Sequence, residues 1–463
     1  MTSPRQSLME VTGALSACAG SARFSFGADT ALVAVQHMLY QTVDLFRATQ
    51  AIGLRPENIF ALGKVYSNST PVITAIRKLG VTVVESSFPP PGEFDQSFNQ
   101  DITRLWETVA QQLSRRRIKR ILVLDDGGKC ITNIPAELLA QYEVAGVEQT
   151  SLGMFVFEEN SPPFAVISWA RTAVKLQIGG HIFSQYLIDR LHAEFLGGKS
   201  LAGVDVGIIG LGSIGKGLAD VASQQGANVV FYDSDPDLEI PPCLRDRLTR
   251  LDSLEEVMLR AEYLFGSSGR NPFKDKWPLR HRPGIKLFSA SGGDQEFGPI
   301  IRDLQNTASF KVAADTWDIT SVEGPSGPIR IAYLGFPYNF VSRAEEAVPT
   351  RIVQLETGGL LAGLIQARNH LTLVETGYTE NSGIHRVSPD LQHLVLEVWL
   401  DALQYRGIDI RKLYGWDRAQ LAATNEDEWF EEYSEPGPAA DGSSERVEAL
   451  ARSMLEQCLR AAQ

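Results

Sequence analysis

From residue 28 the chain settles into short apolar runs separated by amphipathic ones. "TALVAVQHMLYQTVDLFRATQAIG" places apolar residues at helical spacing and ends on Gly53, so the pattern predicts a helix. "NIFALGKV" and "VTVVESS" predict strands, with the helix-like "PVITAIRKLG" between them. "DITRLWETVAQQLSRRR" predicts a helix whose basic last turn suits the negative end of its dipole. "RILVLDD" is the next strand. Short apolar strands alternating with helices imply a parallel sheet covered on both faces.

A long helical stretch, roughly 171–196, leads into "GKSLAGVDVGIIGLGSIGKGLADVASQQGANVVFYDSDP", which begins a second α/β unit. That unit continues through the strand-like "EYLFGSS", "IKLFSAS" and "IRIAYLG". After about residue 336 the pattern turns helical, in "TRIVQLETGGLLAGLIQARN" and "LQHLVLEVWLDALQYRG". Packed back onto the first domain, these helices would make that domain discontinuous. The acidic, Pro/Gly/Ser-rich segment 426–445 predicts a linker or loop, followed by an amphipathic terminal helix.

Composition narrows the function classes. The 463 residues are 44% hydrophobic and 21% charged, as in an ordinary globular protein. A net charge of −13 argues against nucleic acid or an anionic membrane as partner. Cys18, Cys130, Cys243 and Cys458 lie far apart with no CxxC pair, and predict free thiols in a reducing cytoplasm. The seven histidines are scattered without HxxxH or HExxH, so no metal is expected. Glu10 interrupts the apolar part of "MTSPRQSLMEVTGALSACAGSA", against a secretory signal, and no apolar run approaches the length of a membrane span.

"VGIIGLGSIGKG" is the strongest single motif. Gly210, Gly212 and Gly215 form GxGxxG directly after an apolar strand and at the start of a helix, with Ser213 and Ile214 inside the turn. The first glycine permits the tight turn, the second lets the backbone approach a pyrophosphate, and the third lets helix and strand pack closely. "NVVFYD" ends on Asp233, where a carboxylate accepts from ribose hydroxyls and repels a 2′-phosphate. The expected cofactor is NAD. Ser267, Ser268 and Gly269, after "EYLFG", are further cofactor-binding candidates. A 2-hydroxyacid dehydrogenase would carry a catalytic His with an acidic partner, but "GGDQEFGP" follows "IKLFSAS" without one. His281, in "LRHRPG", reads as part of a surface turn.

"LVLDDGGKCITN" leaves a strand on Asp125, Asp126, Gly127 and Gly128. Asp-Gly is common in turns, yet ligands bind at strand ends in α/β proteins, so turn and catalytic base are both open. The order of motifs carries more. "HMLYQT", placed on a helix, is followed by "LDDGGKCITN", "GVEQTSLG", a lysine-bearing approach, then "GKSLAGVDVGIIGLGSIGKG" and "FYDSDP". Over roughly residues 30–345 this order resembles the S-adenosyl-L-homocysteine hydrolases. The resemblance implies a Rossmann NAD-binding domain inserted into a discontinuous α/β substrate domain with a parallel sheet. The divisions expected are 1–185, 186–338, 339–425, and an acidic linker with terminal helix over 426–463.

The resemblance also implies a chemistry. NAD transiently oxidises a ribose 3′-hydroxyl, the ketone acidifies C4′–H, a base removes that proton, and the 5′ substituent leaves. Carried over by residue, His37 serves the 5′ end of the sugar, Asp126 transfers a proton, and Lys175 serves the 3′-hydroxyl. Thr42 matches, whereas Gln41 stands where the family reads adenine with Glu. Gln149 replaces the Glu that holds the 2′-hydroxyl, with Thr150 and Ser151 as cofactor contacts. Gly179 and Gly180 replace an Asp-Asn pair, His181 follows them, and Phe336 or Asn339 stands near a purine-reading His.

The retained residues serve oxidation and deprotonation, while the changed ones hold purine, 2′-hydroxyl and leaving group. The expected reaction is therefore redox elimination on a modified nucleoside, favouring dehydration to a 4′,5′-unsaturated sugar. S-adenosylhomocysteine hydrolysis proper, a plain NAD-dependent dehydrogenase and a non-catalytic NAD- or nucleoside-binding regulator stay open. A cytoplasmic homo-oligomer, dimer or tetramer, is expected from the resemblance.

Overall fold

The computed structural model describes residues 8–274, 276–304, 319–340, 348–377 and 379–405. The expected linker and terminal helix, 426–463, lie outside these. The chain divides into two compact units: unit 1 comprises Met1–Ser86, Asn99–Gly179 and Arg343–Gln463, and unit 2 comprises Ser87–Phe98 and Gly180–Ser342. The expected divisions at 185/186 and 338/339 compare with 179/180 and 342/343, and residues 87–98 also fall in unit 2.

Along the chain the elements are α1 (Glu10–Ser21), β1 (Thr30–Met38), α2 (Tyr40–Ala51), β2 (Ile59–Asn68), α3 (Thr70–Lys78), β3 (Thr82–Val84), α4 (Phe94–Leu113) and β4 (Arg120–Asp125). Then come α5 (Lys129–Thr132), α6 (Ala136–Gln141), β5 (Glu143–Glu148), α7 (Ser151–Glu159), β6 (Val166–Ser168) and α8 (Gly180–Leu191). Unit 2 continues with β7 (Asp205–Ile209), α9 (Ser213–Gln224), β8 (Asn228–Tyr232), β9 (Leu248–Arg250), α10 (Leu254–Arg260), β10 (Tyr263–Gly266), β11 (Lys286–Ser289), α11 (Gly298–Leu304), β12 (Ile319–Gly324) and β13 (Gly327–Ala332). The chain returns to unit 1 with α12 (Thr350–Glu375), β14 (Ile384–Arg386) and α13 (Pro389–Tyr405).

Unit 1 holds a seven-stranded sheet in the order β14-β6-β5-β4-β1-β2-β3, all of it parallel. Unit 2 holds a second, β12-β13-β11-β10-β7-β8-β9, parallel except for the β12–β13 pair. In each sheet the strand order reverses beside the first strand, between β1 and β4 and between β7 and β10. Such switch points, at the carboxyl ends of the strands, are where open α/β sheets bind ligands.

Local sequence explains most elements. Every residue of β1 is buried, so its apolar run lacks alternation. That is why residues 30–38 read as helix: a buried strand and a buried helix segment share one pattern. The helix begins only at Tyr40, and His37 ends a strand. The basic last turn expected for α4 is absent, because the helix stops at Leu113, ahead of Arg115–Arg117. The stretch 171–196 is helical from Val174, with π-helical turns at Val174–Gly179 and His192–Leu196 around α8.

In unit 1, α12 packs closely because of its glycines. A Cβ on Gly358 would lie 2.5 Å from Val11 Cγ1, and one on Gly359 would lie 2.3 Å from the Trp169 ring. Gln354 on the same helix accepts from Val11 N at 3.0 Å. Trp169 and Trp399 are fully buried. The structure corrects the thiol expectation at one position: Cys18 is disulfide-bonded, while Cys130 and Cys243 are free. His281 is corrected as well. It is buried, 1% exposed, with Nδ1 on Arg282 O at 3.1 Å and Nε2 on Ser326 N at 3.3 Å, so it braces a turn upstream of β11. No described helix is long and apolar enough to cross a membrane.

Candidate active site

The switch point of the unit 1 sheet is built by an irregularity in β2. Gln36 pairs with Gly63 and Met38 with Asn68, so His37 alone on β1 faces Lys64 to Ser67 on β2. A bulge of this kind re-aims side chains. It turns Lys64 and Ser67 toward the ends of β1 and β4. At the end of β4 the chain turns on Gly127 and Gly128, at φ +114° and +75°, values that favour glycine. Asp126 is presented at that turn.

Asp126 is 4% exposed and binds three donors. Lys64 Nζ bonds Oδ1, Gln149 Nε2 bonds Oδ2, and His37 Nε2 lies 3.2 Å from Oδ2. Burial alone would push this carboxyl up. Lys64 and His37 outweigh that and hold it well below the usual carboxylate range. Lys64, equally buried, is desolvated, yet Asp126 keeps its ammonium above the ordinary lysine value. Burial draws His37 below its ordinary value despite Asp126, so the imidazole is neutral at pH 7. With Nε2–H facing the carboxylate, Nδ1 accepts from Ser67 Oγ at 2.7 Å. Thr42 donates to His37 O at 2.6 Å, fixing the start of α2 against the end of β1.

The turn rests on Glu148, fully buried at the end of β5. Its carboxylate accepts from Gly127 N at 3.2 Å, Gly128 N at 2.9 Å, Thr150 N at 2.7 Å and Thr150 Oγ1 at 2.6 Å. Burial pushes Glu148 well above the ordinary range, and it pushes neighbouring Asp125 up to about 6. Gly153 is required, since a Cβ there would lie 2.2 Å from Glu148 Cδ.

Other expected residues of unit 1 take varied places. Gln149 is not a free acceptor: it donates to Asp126 and accepts from Gln36 Nε2 at 3.0 Å. Thr150 caps α7, accepting from Gly153 N at 3.0 Å, and Ser151 follows it, exposed. Gln41 sits in the first turn of α2 with its Oε1 buried and without a partner among the described residues. Lys175 lies in a π-helical turn and bonds Glu356 Oε2 at 2.7 Å, an oxygen that also accepts from Trp169 Nε1 at 2.8 Å. Lys64, Ser67, Glu148 and Glu356 were not anticipated. One signal for Lys64 was present, a lone lysine inside the apolar run "NIFALGKV".

In unit 2 the glycine loop has the predicted build. Gly210 stands at φ +87°, and a Cβ there would lie 2.7 Å from Ser268 Cα. A Cβ on Gly215 would lie 2.1 Å from Gly210 O, so this glycine packs helix on strand. Gly212 is exposed, and a Cβ there would meet nothing within 4 Å. The loop therefore offers an open backbone face at the N-terminus of α9, whose cap Gly212 makes no side-chain bond. That geometry fits a pyrophosphate. Ser213 and Ile214 open α9, and Ile214 O accepts from Ser184 Oγ at 2.9 Å. Asp233 follows β8 and steadies the loop, Oδ2 accepting from Leu211 N at 2.6 Å. Ser267 Oγ donates to Gly210 O at 2.7 Å, and Gly269 N donates to Ser291 Oγ at 3.0 Å. His181 belongs to this unit, 3.8 Å from Asp220, and burial lowers it. Asn339 is buried here too, its Oδ1 without a partner among the described residues.

Residues 184–271 match the NAD-binding domain of the D-isomer-specific 2-hydroxyacid dehydrogenases. Unit 2 is accordingly an NAD-binding domain. An uncharacterized protein of Mycobacterium tuberculosis is 29% identical over 317 residues, 67% of this chain and 58% of the relative. The chain thus spans less than two thirds of that relative's length. An S-inosyl-L-homocysteine hydrolase of Methanopyrus kandleri is 23% identical over 323 residues, 66% of this chain and 72% of that protein. Among solved structures, the D-lactate dehydrogenase of Escherichia coli covers 76% of this chain at 12% identity and a TM-score of 0.34, matched over 99% of its own length. The family model is thus that of the dehydrogenases, and the hydrolase resemblance is met at a distance.

Proposed function

We propose that this protein is an NAD-dependent oxidoreductase that oxidises a hydroxyl group of a small substrate, with proton transfer supplied by the Asp126 cluster of unit 1. The dehydrogenase-type NAD-binding domain supports the redox half. The observation that carries the other half is Asp126, a buried carboxylate at a topological switch point, held at once by Lys64, His37 and Gln149. When bound, NAD supplies the hydride acceptor. Asp126 begins ionised, and its depressed pKa makes it a weak base until a substrate group displaces a donor. Gln149, an uncharged amide, is cheaper to displace than Lys64: a hydrogen bond to a charged group contributes about 1.5–3 kcal/mol, whereas breaking a buried ion pair costs about 3–5 kcal/mol. Lys64 keeps the carboxylate charged until the proton arrives, and His37 orients it.

A finer reading goes beyond dehydrogenation. The relative named as an S-inosyl-L-homocysteine hydrolase spans two thirds of this chain and favours a nucleoside substrate. On that reading the oxidised sugar loses its C4′ proton to Asp126, a C4′–C5′ double bond forms, and the 5′ substituent leaves with its electron pair. Bound NAD would supply the hydride for the final reduction, so no reduced cofactor would accumulate. No His follows β11 among the described residues before α11, which leaves proton transfer in a 2-hydroxy acid oxidation without its usual group.

The test mixes NAD-loaded protein with 2-hydroxy acids, adenosine and inosine while following reduced-nicotinamide absorbance. Lasting reduction supports plain dehydrogenation, and transient reduction supports the finer reading. Absence of reduction by the whole panel contradicts both.

A further inference from the structure

Glu296 takes no part in the chemistry proposed above. It is 0% exposed, lies beyond β11, and is bonded to the loop after β10. Its Oε1 accepts from Ser268 N at 2.7 Å and from Ser268 Oγ at 2.8 Å, and its Oε2 accepts from Ser289 Oγ at 3.1 Å. Gly266 is what lets it approach, since a Cβ there would lie 2.4 Å from Glu296 Oε2. A buried carboxylate is expensive to desolvate unless donors surround it, and here they come from serines, Ser268 and Ser289 with Ser291 beside them.

Those bonds reach the glycine loop in one further step. Ser267, beside Ser268, donates to Gly210 O at 2.7 Å. The missing Cβ of Gly210 is the space into which Ser268 packs, 2.7 Å from Cα and 2.8 Å from N. The segment 267–269 therefore has Glu296 on one side and the glycine turn on the other. β7 and β10 flank the switch point of this sheet, and a dinucleotide lies across such a crevice. Its adenosine ribose meets the acidic residue after the second strand, here Asp233. The loop after β10 borders the other half of the ligand.

We propose that Glu296 is a positioning residue for the cofactor, a buried carboxylate that holds Ser268, and through it the 267–269 loop and Gly210, in the form that receives the pyrophosphate and nicotinamide half of NAD. Both bonds to Ser268 end on one carboxylate oxygen, Oε1.

The test is equilibrium binding of NAD and of AMP to the purified full chain, by calorimetry, with variants at both ends of the contact. Glu296→Ala should weaken NAD at least tenfold and leave AMP affinity within about twofold, because AMP lacks the half that this loop borders. Glu296→Gln should restore NAD to within about threefold: its amide oxygen accepts from Ser268, and its NH₂ donates to Ser289. Ser268→Ala should reproduce part of the loss, and the Glu296→Ala/Ser268→Ala pair should fall short of additivity. Ser289→Ala, which removes the bond to the other carboxylate oxygen together with the Ser289 Oγ contacts to Ser291 N and O, should cost NAD affinity less than Ser268→Ala. If Glu296→Ala misfolds, Ser268→Ala alone decides. Equal losses of NAD and AMP, or unchanged NAD affinity in Glu296→Ala or Ser268→Ala, overturn the proposal without bearing on the Asp126 chemistry.

Discussion

Lys64 and Asp126 form an ion pair in which the two side chains are only 3% and 5% exposed. Neither has bulk water to fall back on, so each depends on the other for its charge. The pair joins β2 to the turn after β4 across β1, and its formation requires the bulge opposite His37.

Replacing Lys64 by Met should therefore destabilise unit 1 by about 3–5 kcal/mol, the usual effect of stranding one partner of a buried pair. The check is the denaturant midpoint of the unfolding step that belongs to unit 1. A shift below about 1 kcal/mol would mean that Asp126 is neutral or solvated in the native state.

Asp126→Asn keeps the shape and removes the charge and the proton acceptor. It should abolish substrate turnover and leave NAD affinity unchanged, because the glycine loop belongs to unit 2. Binding calorimetry with NAD, beside a turnover assay, separates the two. Loss of NAD binding would remove Asp126 from the role assigned to it.

The glycine loop offers a graded comparison. Gly212→Ala places its methyl where nothing lies within 4 Å, so the fold should be unaffected while NAD weakens. Gly215→Ala drives a methyl to 2.1 Å from Gly210 O and should lower the melting temperature even without cofactor. Melting scans with and without NAD distinguish these outcomes. An unaltered cofactor response in Gly212→Ala would contradict a pyrophosphate at this turn.

The buried carboxyls with raised pKa should lose their stabilising contribution as pH rises from about 4 to about 7, while His37, His181 and His370, lowered by burial, contribute in the opposite direction over that window. Burial holds Glu296 at about 7 against an ordinary 4.5, and it holds Asp125 and Asp294 at about 6 against 3.8. Over that window the folded chain keeps protons that the unfolded chain has released, so its advantage is complete at the acid end and lost toward neutrality. Asp126 runs the other way: its contribution is present above the ordinary carboxylate value and lost only in stronger acid. Glu296→Gln should flatten the decline by up to about 3 kcal/mol, at 1.36 kcal/mol per pKa unit. Denaturant midpoints at pH 5 and pH 8 give the answer, and an identical slope in the variant would show that Glu296 is not titrating there.

The sequence was most readable where backbone geometry dictates residue type. Gly210, Gly212 and Gly215 announced the turn and its packing: the structure places Gly210 and Gly215 against neighbours that require their smallness and leaves Gly212 facing open space. Asp126 was singled out because a strand that stops on charged residues in an α/β chain points at the ligand edge, whereas His37 came from the family resemblance and was placed on a helix. Lys64 was hidden because a buried lysine looks out of place until its partner is known, and that partner stands sixty-two positions away. The bulge that brings them together is a register property, invisible in either strand alone. β1 was read as helix because burial on both faces erases the alternation that marks a strand. Glu296 carried no signal, since a carboxylate held by serines from two loops has no local pattern.

The most direct measurement of the account is isotope exchange. NAD-loaded protein is incubated in D₂O with adenosine and inosine, and the nucleosides are followed by mass spectrometry, beside Asp126→Asn. The account predicts that a nucleoside acquires deuterium at C4′, or loses its 5′ substituent, in the native protein and not in the variant. Exchange that persists in Asp126→Asn, or deuterium-free nucleosides with NAD fully bound, would contradict proton transfer by Asp126 on a nucleoside sugar.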